Sequence, residues 1–213
     1  MNTPTTSSLL TPRPFYVGTE LPVFIADLSP AQAELDLARQ ALDELRITHP
    51  ESPSSNVKAT YMSPWTSHLL NPKLGPLTNI VAGVGREASK TLSADLNSLN
   101  MDLVVTDCWG IIYDKSSYTQ VHNHFPVEFA CSIYLEAHPD SAPLIFAGKL
   151  SIQPTPGMLI MFPGILNHEV PVTAGRRVVI AMNLNKRALF ERLINPASPD
   201  TAAILEGLTR VNQ

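Results

Sequence analysis

The sequence predicts a mainly β protein in which N-terminal helices pack on a C-terminal barrel or sandwich. Two segments in the first half carry apolar residues three and four positions apart, the signature of amphipathic helices. From Leu99 onward the texture changes to roughly eight short runs with period-two alternation, bounded by Gly, Pro, Asn and Asp, and that many strands at close spacing favour a closed or layered β fold. A length of 213 residues with 44% hydrophobic content can bury a sizeable core in one domain.

The elements follow in order. Residues 1–28 read as a Pro-, Thr- and Ser-rich arm with a strand somewhere within Phe15 to Leu28. Ser29 reads as an N-cap with Pro30 at the first helical position, and Leu35, Ala38, Leu42 and Leu45 form the stripe of a helix ending before Pro50. "HPESPSSNVKATYMSPW" reads as loop. Leu77, Ile80, Val81, Val84, Ala88, Leu92 and Leu96 form a second stripe, completing a helical part over residues 29–98. The barrel core, residues 99–185, takes strands around Leu103–Tyr113, Tyr118–His122, Phe129–Glu136, Pro143–Ala147, Lys149–Gln153, Met158–Phe162, Leu166–Val170 and Arg177–Leu184. "KRALFERLI" and "TAAILEGL" read as short helices in residues 186–213.

A net charge of -4 with scattered basic residues argues against nucleic acid or an anionic membrane as partner, leaving a small-molecule or peptide substrate and room for a homodimer. Cys108 and Cys131 form no C-x-x-C and read as reduced core residues. The N-terminus lacks a signal-peptide pattern and no apolar run has the length of a membrane span, so the expected location is cytoplasmic.

The chemistry concentrates in "YTQVHNHFPVEF". Strand side chains two apart point the same way, so His122 and His124 share a face. On the next strand Glu128, Ala130, Ser132, Tyr134 and Glu136 fall on one face, polar enough for a pocket wall, while Phe129, Cys131, Ile133 and Leu135 fall on a core face. "PGMLIMFPGILNHEV" supplies His168 after a Pro163-Gly164 turn, a further candidate metal ligand. In "TAGRRVVIAMNLN" the residues Arg177, Val179, Ala181 and Asn183 share a face, which lets Arg177 offer its planar fork to a carboxylate while Arg176 faces outward.

The ordered set "YTQVHNHFP", "ACSIYLE", "GMLIMFPGILNH" and "GRRVVIAMN", spanning about residues 105 to 185, resembles the iron(II)/2-oxoglutarate-dependent dioxygenases, with most similarity to a bacterial and phage group bearing an H-x-H motif. The resemblance implies a double-stranded β-helix, a jelly-roll or cupin-like barrel. It implies iron(II) held by His122, His168 and one residue of the H-x-H/E region, and 2-oxoglutarate chelating the iron with its distal carboxylate on Arg177. Tyr134, on the pocket face, is a candidate second partner of that carboxylate, and Asn183 closes the motif on the cofactor-binding strand. The implied activity is oxidoreductase: molecular oxygen hydroxylates a substrate while 2-oxoglutarate is decarboxylated to succinate. The middle ligand of such sites is ordinarily Asp or Glu. Here either His124 takes that place, as its spacing favours, or Glu128 reaches across Pro126. Two other readings remain. "HNHFPVE" also fits a cupin metal site of His122, His124, Glu128 and His168 that needs no 2-oxoglutarate, and a non-catalytic binding protein of the same fold would hold no metal.

Overall fold

In a computed structural model describing residues 20–92 and 101–189, the alternating runs become strands of two antiparallel sheets. The chain order is β1 (Phe24–Asp27), a 3-10 turn (Ser29–Ala31), α1 (Gln32–Thr48), β2 (Val57–Lys58), β3 (Tyr61–Met62), α2 (Ser67–Leu70), a second 3-10 turn (Pro72–Leu74) and α3 (Gly75–Leu92). It continues with β4 (Met101–Tyr113), β5 (Tyr118–His122), β6 (Phe129–Ala137), β7 (Leu144–Phe146), β8 (Leu150–Ile152), β9 (Met158–Pro163), β10 (His168–Val170) and β11 (Arg177–Ala188). The larger sheet has the order β1-β9-β6-β11-β4-β3 and the smaller β2-β5-β10-β7-β8. From β4 to β11 the chain changes sheet at every connection except the β7 to β8 hairpin, and so winds as a double-stranded β-helix, or jelly roll.

The larger sheet is apolar on both faces, and each face has its own partner. Phe129, Cys131 and Ile133 of β6 point toward the helices and pack with Leu42, Leu45, Leu77 and Val81. Ala130 and Tyr134 point between the sheets, where they meet Phe146, Ile160, Phe162 and Val179. The α1 stripe and Leu77, Val81 and Ala88 of α3 are therefore buried against the sheet's outer face, each fully covered Leu or Val contributing about 1.5–3 kcal/mol, while Ile80 and Val84 are partly covered and Leu92 is exposed. No helix among the described residues is long and apolar enough to cross a membrane.

Several expectations need correction. Ser29 does not cap α1: its N–H and hydroxyl both donate to the Asp27 carboxylate, at 2.9 and 2.8 Å, Pro30 sits in a 3-10 turn, and the α-helix begins at Gln32. The expected loop before Trp65 contains β2 and β3, each two residues long and too short to display alternation. Lys186, Arg187 and Ala188 extend β11 instead of starting a helix, because they pair with Leu103, Asp102 and Met101. Glu136 does not face the pocket. A register shift opposite Val178 and Val179 leaves Leu135 unmatched, so Leu135 packs on the helix-side core and Glu136 pairs with Arg39 of α1 at 3.0 Å. Residues 1–19, 93–100 and 190–213, with the remainder of the expected arm, second helix and C-terminal helices, lie outside the described residues.

Both cysteines are free and buried. They flank Met182 across three adjacent strands, Cys131 on β6 and Cys108 on β4, which at the usual strand spacing puts their Cα atoms about 9–10 Å apart, beyond disulfide reach. Burial pushes the Cys131 thiol up to about 12, so it packs as a hydrophobe and not as a thiolate. Thiol titration in denaturant should find two free thiols, and in the native protein neither should react promptly.

Gly110 of β4 lets α1 approach the sheet. A Cβ there would collide with Leu42 Cδ1, and Leu42 is fully buried. Leu42→Ala should cost about 2–5 kcal/mol in urea unfolding and Gly110→Ala should also destabilise. The double variant should lose at least about 1 kcal/mol less than the sum, since each substitution removes the other's problem.

Candidate metal centre and ligand cavity

The smaller sheet brings the histidines together. His122, the last residue of β5, lies directly opposite His168, the first of β10. The chain then turns, and His124 is fixed by its backbone N–H, which donates to the Gly164 carbonyl at 2.7 Å. The ring centroids of His122 and His168 are 4.2 Å apart, and each lies 5.1 Å from that of His124. One ring nitrogen from each residue falls within 4.8 Å of the others, which is the arrangement of three ligands around one ion. His122 Nδ1 is 2.9 Å from the Gln120 carbonyl and His168 Nδ1 is 3.2 Å from the Leu166 carbonyl. A carbonyl only accepts, so Nδ1 carries the proton in both rings and Nε2 keeps its lone pair for the common centre.

The surroundings keep these rings neutral. Burial, then the charge of His122 and of His124, pushes His168 down to about 3. Burial and the His122 charge push His124 down to about 4, against the opposing pull of Asn183 and Asp107. Burial also lowers His122, opposed by the Gln120 carbonyl. Asn183 stands near the His124 ring and favours its protonated form, although its buried Oδ1 has no hydrogen-bond partner. Asn183 is itself held by donating Nδ2 to Asp107 at 3.2 Å.

A narrow cavity of about 40 Å³ runs from the three histidines to Arg177. Arg177 is 2% exposed, its Nη1 donates to the Ala142 carbonyl at 2.9 Å, and its guanidinium carbon stands 4.2 Å above the Tyr113 ring and 5.9 Å from that of Tyr134. Its Nε–H is buried and has no acceptor. Beside it the Tyr113 and Thr119 hydroxyls are 2.7 Å apart. Thr119 and His122 both reach the cavity, although three residues apart, because β5 carries one more residue than β10 between their pairings. A larger hollow of about 680 Å³ at Thr78, Arg86, Asp102 and Arg187 ends at Leu189, where the described chain stops, and holds no comparable set of side chains.

No protein-family model matches the sequence, and no curated protein matches it. Solved structures do. A Pseudomonas putida prolyl-4-hydroxylase aligns with a TM-score of 0.57 and 16% identity over 78% of this chain and 92% of its own. The non-heme α-ketoglutarate-dependent carbocyclase SnoK, from nogalamycin biosynthesis, gives 0.59 and 10% over 76% and 78%. HygX from Streptomyces hygroscopicus, solved with nickel and 2-oxoglutarate bound, gives 0.50 and 12% over 76% and 82%. The chain has the fold of the 2-oxoglutarate-dependent oxygenases.

Within that fold the expected residues separate into those that converge and those that do not. His122, His124, His168 and Arg177 share one cavity. Arg176 faces outward, as expected, bonded to Asp114 at 2.7 Å and Glu136 at 3.2 Å. Glu128 is not in the histidine cluster, because its carboxylate is held by Lys186 Nζ at 2.8 Å. Tyr134 packs its ring near the guanidinium, but neither it nor Asn183, which lies by His124, lines the cavity. Trp109, Tyr113 and Thr119 were missed. Trp109, Ile111 and Tyr113 alternate along β4 and all face inward, a signal present in the sequence once that strand's inner face is known.

A ring kept neutral in the fold but protonated near 6.5 when unfolded binds fewer protons in the folded chain, so stability rises with pH across that window. For His168, 6% exposed, the window runs from about 6.5 down to about 3. Metal-free protein should therefore lose up to about 1.4 kcal/mol per pH unit from this residue below 6.5. Thermal melts between pH 7 and 5 should show a falling Tm, with a shallower fall in His168→Gln.

Proposed function

We propose that the protein is an iron(II)- and 2-oxoglutarate-dependent dioxygenase that hydroxylates a small-molecule or peptide substrate. The observation that carries this reading is a single cavity with three neutral imidazoles at one end and, at the other, a buried guanidinium whose Nε–H has no acceptor. Imidazole nitrogens suit first-row divalent metals, and three on one side leave positions for further ligands. The fold's occurrence in a protein solved with nickel and 2-oxoglutarate adds support.

Bound together, iron(II) and 2-oxoglutarate supply oxygen activation, in which one atom of molecular oxygen goes to the substrate and the other to succinate as carbon dioxide leaves. The chain's own residues hold and orient. His122 and His168 are locked in one tautomer by carbonyls two residues back, and the His124 backbone N–H is tied to the Gly164 carbonyl. Arg177 anchors the distal carboxylate, flanked by the Tyr113 and Thr119 hydroxyls. Ile111, Leu144, Val170 and Val179 line the walls and exclude water from the pair. His124 in the middle position departs from the two-histidine, one-carboxylate triad, so the metal keeps its full charge, and a dianionic cosubstrate compensates it. The four-ligand cupin reading is disfavoured by the Lys186 contact that occupies Glu128.

An anaerobic iron(II) titration should give a visible charge-transfer band only when 2-oxoglutarate is also present. By calorimetry, Arg177→Ala should weaken 2-oxoglutarate binding to metal-loaded protein roughly ten- to a hundred-fold, the equivalent of about 1.5–3 kcal/mol, with metal affinity nearly unchanged. His168→Ala should remove metal binding, and Arg176→Ala should do little. Equal 2-oxoglutarate affinity in wild type and Arg177→Ala overturns the assignment.

A further inference from the structure

Arg177 is not the only unpaired donor in this cavity. Trp109 is 4% exposed and lines the cavity with the three histidines, and its Nε1–H is buried with no acceptor in the protein. Its indole meets Trp65 edge to face, with ring centroids 4.7 Å apart, and is tilted by 27° from the His124 ring at 6.0 Å. On β11 its pairing partner is Ala181, whose small side chain leaves space beside the indole. An N–H taken out of water and left unpaired is destabilising, and a phenylalanine would fill an apolar wall without that cost. An occupant of the cavity with an acceptor oxygen would satisfy it.

We propose that Trp109 is a ligand-binding residue whose indole N–H donates to an oxygen of the cosubstrate carboxylate at the metal end of the cavity. This rests on the dioxygenase reading above. Trp109 stands beside His124 and Arg177 at the opposite end, so the cavity offers one unsatisfied donor at each end and no carboxylate among the described residues that line it. That pattern is complementary to a slender dicarboxylate and leaves a monocarboxylate with one donor unanswered.

Trp109→Phe keeps the ring stack and deletes only the donor. Calorimetry on zinc(II)-loaded protein should show 2-oxoglutarate affinity reduced about ten-fold, within the range for a hydrogen bond to a charged group, while zinc affinity stays within two-fold and Trp65→Phe behaves as wild type. In the anaerobic iron(II) protein the charge-transfer band should move in energy in Trp109→Phe and not in Trp65→Phe. With intact protein carrying 15N-indole tryptophan and zinc(II), adding 2-oxoglutarate should shift the Trp109 Nε1–H resonance downfield and slow its exchange with water. An unmoved resonance, or unchanged affinity and band in Trp109→Phe, overturns the proposal and leaves the dioxygenase reading standing. Loss of zinc binding in Trp109→Phe also overturns it, by making the ring a prop for His124. Wild-type protein that binds metal but no 2-oxoglutarate instead removes the dioxygenase reading, and this proposal with it.

Discussion

The antiparallel pairing of His168 with His122 is the contact on which the site depends. It closes β10 on β5 and sets two imidazoles side by side, with centroids 4.2 Å apart and planes tilted by 51°. Because side chains alternate along a strand, a slip of one residue would turn one of these rings away from the cavity. The register is defended on both sides: β10 also pairs with β7 through Phe146, which packs inside, and the turn before β10 binds the His124 backbone through the Gly164 carbonyl. Asn123 and Asn167, bonded at 2.9 Å, join the same two loops from the solvent side.

Stability and chemistry are divided between the two faces of the larger sheet. Its outer face buries Phe129, Ile133, Ile180 and Met182 against α1 and α3 and forms a continuous apolar core. That core offsets what the inner face gives up, where Trp109 and Arg177 each hold a buried donor without an acceptor and three imidazoles are kept from protonating. β11 links the two, since it lies at the centre of the sheet and carries Arg177 and Asn183 inward while Val178, Ile180 and Met182 face the helices.

Much of this was legible before any coordinates. The strands bearing chemistry are long or strongly alternating, and β5 spans the expected Tyr118 to His122. The three histidines and Arg177 stood out because a charged or metal-ligating side chain on an otherwise apolar strand face has few structural reasons to be there. What stayed hidden was everything set by bulges and tertiary pairing. Leu135 is skipped in the β6 register, which turned Glu136 toward Arg39, and the extra residue on β5 brought Thr119 to the cavity. Neither irregularity has a Gly or Pro to announce it. The partner of Glu128 was hidden for another reason: Lys186 belongs to a segment that reads as helix in isolation and becomes strand only by pairing with β4.

Charge makes the final connection between the fold and its chemistry. Among the described residues that line the cavity there is no Asp or Glu, and the nearby carboxylates are engaged elsewhere, Glu128 by Lys186 and Asp107 by Asn183 and Thr106. With three neutral imidazoles and the Arg177 guanidinium, the cavity alone carries one positive charge in a largely apolar wall, and a divalent ion would raise that to three. Such a charge in a low-dielectric site is costly unless an anion enters with it. In a site with a carboxylate in the primary ligand set, the protein provides part of that compensation. Here none of the described residues that line the cavity provides a carboxylate, and His124 in place of one shifts the requirement toward the bound small molecule. Metal and anionic cosubstrate should consequently reinforce each other's binding, because the charge of each offsets that of the other.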